Sequence, residues 1–146
     1  MLARALVFFV VLAALSGCQP GSGGSDALFA DVRRQYREGR EAGQWLAANG
    51  NPYALASNRF ESKADARAFV AELYARGAER VVVAPDSIRP EPEEGGDYAD
   101  TLIVGLPDNA VARARLVALG EAETRRDGYT LDEDLVERGY LFLWWD

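Results

Sequence analysis

The chain's last hydrophobic run, Tyr140-Leu141-Phe142-Leu143-Trp144-Trp145, constrains the fold more than any other segment. Read as a strand, it turns Tyr140, Phe142 and Trp144 to one side and Leu141, Leu143 and Trp145 to the other. Both sides are apolar, so a sheet containing this strand needs a covering layer on each face. The first long helical segment of the chain, or a partner protein, has to provide the second cover. Left bare, that face would be a binding or dimerisation patch of a kind that monomers seldom expose.

Apolar periodicity supplies the remaining elements. Residues 27–49 carry Leu28, Val32, Tyr36, Gly39, Gly43 and Leu46 at spacings of three and four, which predicts one N-terminal helix closed by Asn49-Gly50-Asn51-Pro52. Along its flank lie Arg33, Arg37 and Arg40, with Arg34 and Glu38 placed as an i,i+4 pair. Tyr53 to Phe60 has the composition of a strand. Ser62-Lys63-Ala64-Asp65 fits a capping box for a helix burying Ala66, Phe69, Val70, Leu73 and Tyr74, with Gly77 as its left-handed cap.

Two β-rich runs follow, Arg80 to Ala84 and Thr101 to Leu106, joined by Pro85 to Asp100, a Pro- and Gly-rich hairpin connection. Pro107-Asp108 opens a second helix over Asn109 to Ala122, and Thr130-Leu131-Asp132-Glu133 reads as a capping box for a short third one ending at Gly139. In order these give strand, helix, strand, strand, helix, short helix, strand. That order predicts an α+β domain over residues 53–146, a ferredoxin-like split βαβ sandwich (βαββαβ) preceded by the N-terminal helix. Right-handed crossovers would set both main helices on one sheet face.

The chain has no His and one Cys. That excludes imidazole-based nucleophilic catalysis and His-ligated metal, and a single thiol makes neither an internal disulfide nor a multi-Cys zinc site. The acidic loop Glu91, Glu93, Glu94, Asp97 and Asp100 has the donor chemistry of a calcium site but matches no calcium-loop spacing. Ser62 beside Lys63, the only lysine, is explained by helix capping without catalysis. No Gly-rich phosphate loop follows a strand. Arg113, Arg115, Arg125 and Arg126 form a local basic surface balanced by Glu121, Glu123 and Asp127. No catalytic residue, metal ligand or cofactor-binding residue is assigned from these patterns.

The first residues differ in kind. Arg4 is the only charge before Cys18, and Leu6 to Leu15 form an apolar run too short to span a bilayer and suited to an export leader. At the junction, Leu15-Ser16-Gly17-Cys18 resembles the lipobox of bacterial lipoproteins. The resemblance implies that residues 1–17 are removed as a signal peptide. It implies also that the Cys18 thiol takes a diacylglyceryl group and that the new amino terminus is acylated, palmitate being a typical chain. Two or more acyl chains hold a protein on a membrane where one does not.

Residues 18–26, from the lipidated Cys through Gly21, Ser22, Gly23, Gly24 and Ser25, read as a flexible linker. Loss of Arg4 with the leader leaves 15 basic against 23 acidic side chains, a mature net charge of −8. That balance disfavours nucleic acid and anionic lipid surfaces as partners.

The expected function is that of a lipid-anchored, exported cell-envelope protein without enzymatic activity. It would act through a protein partner or a homodimer, in an accessory, assembly or immunity-like role. In the Gram-negative case Gln19 after the Cys goes with the periplasmic side of the outer membrane; the Gram-positive equivalent is the outer face of the cell membrane. The competing expectations are a lipoprotein binding a small ligand or ion through the Glu91 to Asp100 loop or an open sheet face, and a carboxylate-based envelope enzyme.

Overall fold

The computed structural model describes residues 23–145, which fold as a mixed α+β domain around a mostly antiparallel sheet. Residues 1–22, which hold the expected signal peptide of residues 1–17, Cys18 and the first part of the expected linker, lie outside the described residues. The helices are α1 (Gly23–Glu38), α2 (Ala42–Ala48), α3 (Lys63–Ala75), α4 (Ala110–Arg126) and α5 (Glu133–Glu137). The strands are β1 (Arg40–Glu41), β2 (Arg80–Val83), β3 (Arg89–Glu91), β4 (Gly96–Tyr98), β5 (Thr101–Gly105) and β6 (Tyr140–Trp144).

The main sheet has the order β1-β2-β5-β6, with every neighbouring pair antiparallel. β3 and β4 form a separate two-stranded hairpin within the connection from 85 to 100. This sequential order departs from the ferredoxin-like arrangement expected above, which needs the segment 53–60 as an inner strand. That segment stays outside the sheet, its β pairing limited to a parallel bridge from Leu55 to Ala99. Ala56 adopts a positive φ of 39°, and the amides of Arg59 and Phe60 turn back onto its carbonyl, so an extended ladder cannot continue. Its apolar residues Ala54, Leu55, Ala56 and Phe60 are buried all the same.

Side chains alternate cleanly across the main sheet. Val81, Val83, Leu102, Val104, Leu141 and Leu143 point into the larger core, where they meet Trp45 and Leu46 of α2, Phe69, Val70 and Leu73 of α3, and Leu116 of α4. The two main helices share one face, although this antiparallel sheet holds no parallel pair for the expected right-handed crossovers to join. Val82, Ala84 and Ile103 point the other way and pack with Val32 of α1 and Leu135 of α5, flanked by Phe29, Tyr36, Tyr140 and Phe142. The second cover that β6 requires thus comes from the chain itself over Tyr140 and Phe142, both half-buried, while Trp144 on the same face stays exposed. Each fully buried Val, Leu or Ile on these faces contributes about 1.5–3 kcal/mol.

The single helix expected over 27–49 is in fact α1, β1 and α2. The break falls at Gly39, whose amide closes α1 on the Gln35 carbonyl at 2.7 Å. A Cβ there would stand 2.8 Å from both the Gln35 and Val83 carbonyl oxygens, so only glycine lets β2 approach. Glu41 then caps α2, its carboxylate accepting from the amides of Gly43 at 3.0 Å and Gln44 at 2.7 Å. Of the two glycines read above in one stripe, Gly39 marks the break after α1 and Gly43 lies in the first turn of α2.

α1 also starts earlier than expected, at Gly23, so the last residues assigned to the linker are helical. Its first turn is fastened to α5: Ser25 Oγ donates to Asp134 at 2.6 Å, and Arg138 donates to Asp26 at 2.8 Å. Ser62 caps α3 as expected, accepting from the Asp65 amide at 3.2 Å, and Gly77 follows that helix with φ of 104°. Two other caps shift. α4 is capped by Asn109 rather than Asp108 and runs to Arg126, and α5 is capped by Asp132 rather than Thr130.

Candidate functional site

The most completely buried charged cluster joins the segment 53–60, α4 and the end of β6. Arg59 forms a two-pronged ion pair with Glu123, Nε to Oε2 at 2.7 Å and Nη2 to Oε1 at 2.9 Å. Trp145 Nε1 donates to the same carboxylate at 3.4 Å. The guanidinium lies 4.7 Å from the Phe60 ring centre and 5.6 Å from that of Phe69, and both rings meet Trp145 edge to face. The Glu123 carboxylate beside it pushes the Arg59 guanidinium above its ordinary value. Every polar group here is satisfied within the cluster. It clamps the irregular segment to the core, leaving no group pointed at a substrate.

Among the concavities of the described residues are two of more than 500 Å³. The first, of about 550 Å³, lies between β1–α2 and the β4 hairpin and includes Arg40, Gln44, Trp45, Asn49, Arg80 and Asp97. Most of its polar groups already hold the fold. Arg80 donates to the carbonyls of Tyr36 and Gly39, each at 2.7 Å. Asn49 accepts from the Asn51 and Asp97 amides and donates to the Asp97 carbonyl. Burial pushes the Glu41 carboxyl up, but the Gly43 and Gln44 amides and the Tyr74 hydroxyl outweigh it and hold the group below the carboxylate range.

The second concavity, of about 570 Å³, is a groove between α4 and α5 with the loop that joins them. Val117, Leu131 and Val136 form its floor, all half-buried against the larger core. Glu121, Glu133 and Glu137 stand exposed on its rim, with Arg125 as the basic side chain among its lining. Among the described residues, no ion pair or side-chain hydrogen bond engages these three carboxylates. Sequence reasoning missed this groove, because its walls come together only when α5 folds back along α4; the alternation of Val117, Glu121 and Arg125 at helical spacing was its one local signal.

The residues singled out from sequence fall elsewhere. Arg89 bridges Glu91 and Asp100, at 3.6 and 3.3 Å, on one side of the hairpin, and Asp97 bonds through its backbone to Asn49. Among the described residues, no three Asp, Glu, His or Cys side chains come together as a metal site. The calcium expectation for Glu91, Glu93, Glu94, Asp97 and Asp100 gains no support from this geometry. Ser62 caps α3, and Lys63 donates to the Asn49 carbonyl at 2.5 Å, so the two do not form a nucleophile and base.

Arg113 reaches the last carbonyls of α5, those of Val136 and Glu137, and caps that helix; Arg115, Arg125 and Arg126 stay at the surface. Glu123, expected to balance them, is instead the buried partner of Arg59. No helix among the described residues is long and apolar enough to cross a membrane.

No family model, curated protein or solved structure matches this chain.

Proposed function

We propose that this chain is a lipid-anchored protein of the bacterial cell envelope that works by protein contact and not by catalysis. The observation that carries the reading is the apolar leader ending in Leu15-Ser16-Gly17-Cys18, with the chain's single Cys at the position where lipoproteins carry their lipid. Gly23, the first residue of α1, comes five positions after Cys18, a span of at most about 17 Å of chain. An anchored domain would therefore hold the α1–α5 edge towards the bilayer, since Ser25 and Asp26 are tied to α5.

A contact function is supported by the chemistry of the folded part. There is no imidazole, the buried carboxylate of Glu123 is committed to Arg59 and Trp145, and the second sheet face is closed by α1 and α5. That closure removes the sheet face from the competing ligand-binding reading and equally as a dimerisation patch, so a contact function needs another surface. Labelled palmitate is expected to enter the wild type and to be absent from Cys18→Ser, and label retained by the variant would overturn the anchor.

A further inference from the structure

We infer that the groove between α4 and α5 docks a cationic, amphipathic helical segment of a partner protein, with the partner's apolar side chains on Val117, Leu131 and Val136. The inference rests on the contact function proposed above and assigns the surface and the chemistry of the partner. Its floor and rim give a helix-in-groove site the two features that such a site needs. Half-buried aliphatic side chains line the bottom, and about 570 Å³ is room for a few apolar side chains of a ligand.

Charge selects the occupant. Three rim carboxylates, Glu121, Glu133 and Glu137, face one Arg125, and none of the three is neutralised by a neighbour among the described residues. Lys or Arg on the flanks of an incoming helix would supply those missing partners, whereas an acidic segment would meet uncompensated like charge. Arg113 donates to the Val136 and Glu137 carbonyls of α5 and forms no ion pair with a rim carboxylate. α5 is rigidly placed for this role by its bonds to Ser25 and Asp26 of α1 and by Leu135 in the core.

The test uses the full chain in phosphatidylcholine vesicles and a photo-crosslinkable synthetic peptide of roughly four helical turns, Leu on one face and Lys on the other. Cross-links should map to α4 and α5, and the double charge reversal Glu121→Lys with Glu137→Lys should weaken binding by roughly tenfold or more. The matched reversal Glu93→Lys with Glu94→Lys alters net charge equally on the distant hairpin and should leave binding within about twofold. A peptide with Glu in place of Lys should not bind.

Equal loss in both double variants, cross-links elsewhere, or no binding of the Leu–Lys peptide would overturn the groove. Palmitate label at Cys18 in the same samples reports the anchor separately. Label without groove binding overturns this inference alone, and groove binding without label overturns only the anchor.

Discussion

The Tyr129 hydroxyl closes on the backbone of Trp144 from both sides, accepting from its amide at 3.0 Å and donating to its carbonyl. β6 is an edge strand of the main sheet, and its pairing with β5 continues through the Trp145 amide to the Asp100 carbonyl. Alternation therefore turns the Trp144 backbone outward. One phenol occupies both groups that a further strand would use, and the edge is blunted at Trp144, the most exposed residue of β6 at 41%.

Tyr129→Phe should accordingly do two things. It should lower stability by about 1 kcal/mol, the worth of the lost hydrogen bonding in a half-exposed setting. It should also raise self-association through the freed edge. Urea midpoints and sedimentation velocity on wild type and variant measure the two effects independently.

A second close contact fixes α1 on the sheet. A Cβ at Gly105 would fall 2.1 Å from the Tyr36 hydroxyl and 2.8 Å from its ring carbon Cζ. Tyr36 lies across the bare Gly105 backbone and meets Tyr140, the residue paired with Gly105, at 5.1 Å between ring centres. Gly105→Ala should cost about 1–3 kcal/mol by lifting Tyr36 and the α1 end that carries it. Tyr36→Leu in the same chain should recover part of the loss, a coupling that a double-mutant cycle in urea would read directly.

How much of this was legible from sequence depends on which contacts are local. The two apolar faces of β6, the Ser62 cap and the left-handed Gly77 are written in short patterns, and each stands where those patterns put it. Gly39 was misread because a glycine at helical spacing looks the same whether it packs a helix or admits a strand, and here the strand is β2, more than forty residues away. Tyr53 to Phe60 was misread because burial alone does not separate a strand from a buried irregular segment held by Ala56 and Arg59. The groove between α4 and α5 is likewise a product of helix packing that no local run of residues encodes.

Three phenols, Tyr36 and Tyr129 half-buried and Tyr74 more exposed, make stability depend on alkaline pH. Burial, the largest cause in each case, pushes the hydroxyls of Tyr36, Tyr74 and Tyr129 above their ordinary value of 10.0. The unfolded chain then ionises first, so stability is complete below about pH 10 and is lost as pH rises through the higher folded-state values. Urea unfolding at a series of pH values, followed with phenolate absorbance, should show this fall, and Tyr129→Phe should make it shallower. A stability that stays flat well above pH 10 would contradict the assignment.

The Arg59–Glu123 pair decides whether the irregular segment stays on the core. Side-chain exposures of 22% and 9% place both charges largely out of water, where removing one strands the other. Arg59→Met should therefore cost about 3–5 kcal/mol, mostly as the penalty of an unpaired Glu123 carboxylate. Adding Glu123→Gln removes that charge while leaving an amide oxygen to accept from Trp145 Nε1, so the double variant should recover much of the loss. A recovery of about 2 kcal/mol in the cycle would show that the pair acts as one unit; simple additivity of the two single variants would show that Arg59 holds the segment through its contacts with Phe60 and Phe69 instead.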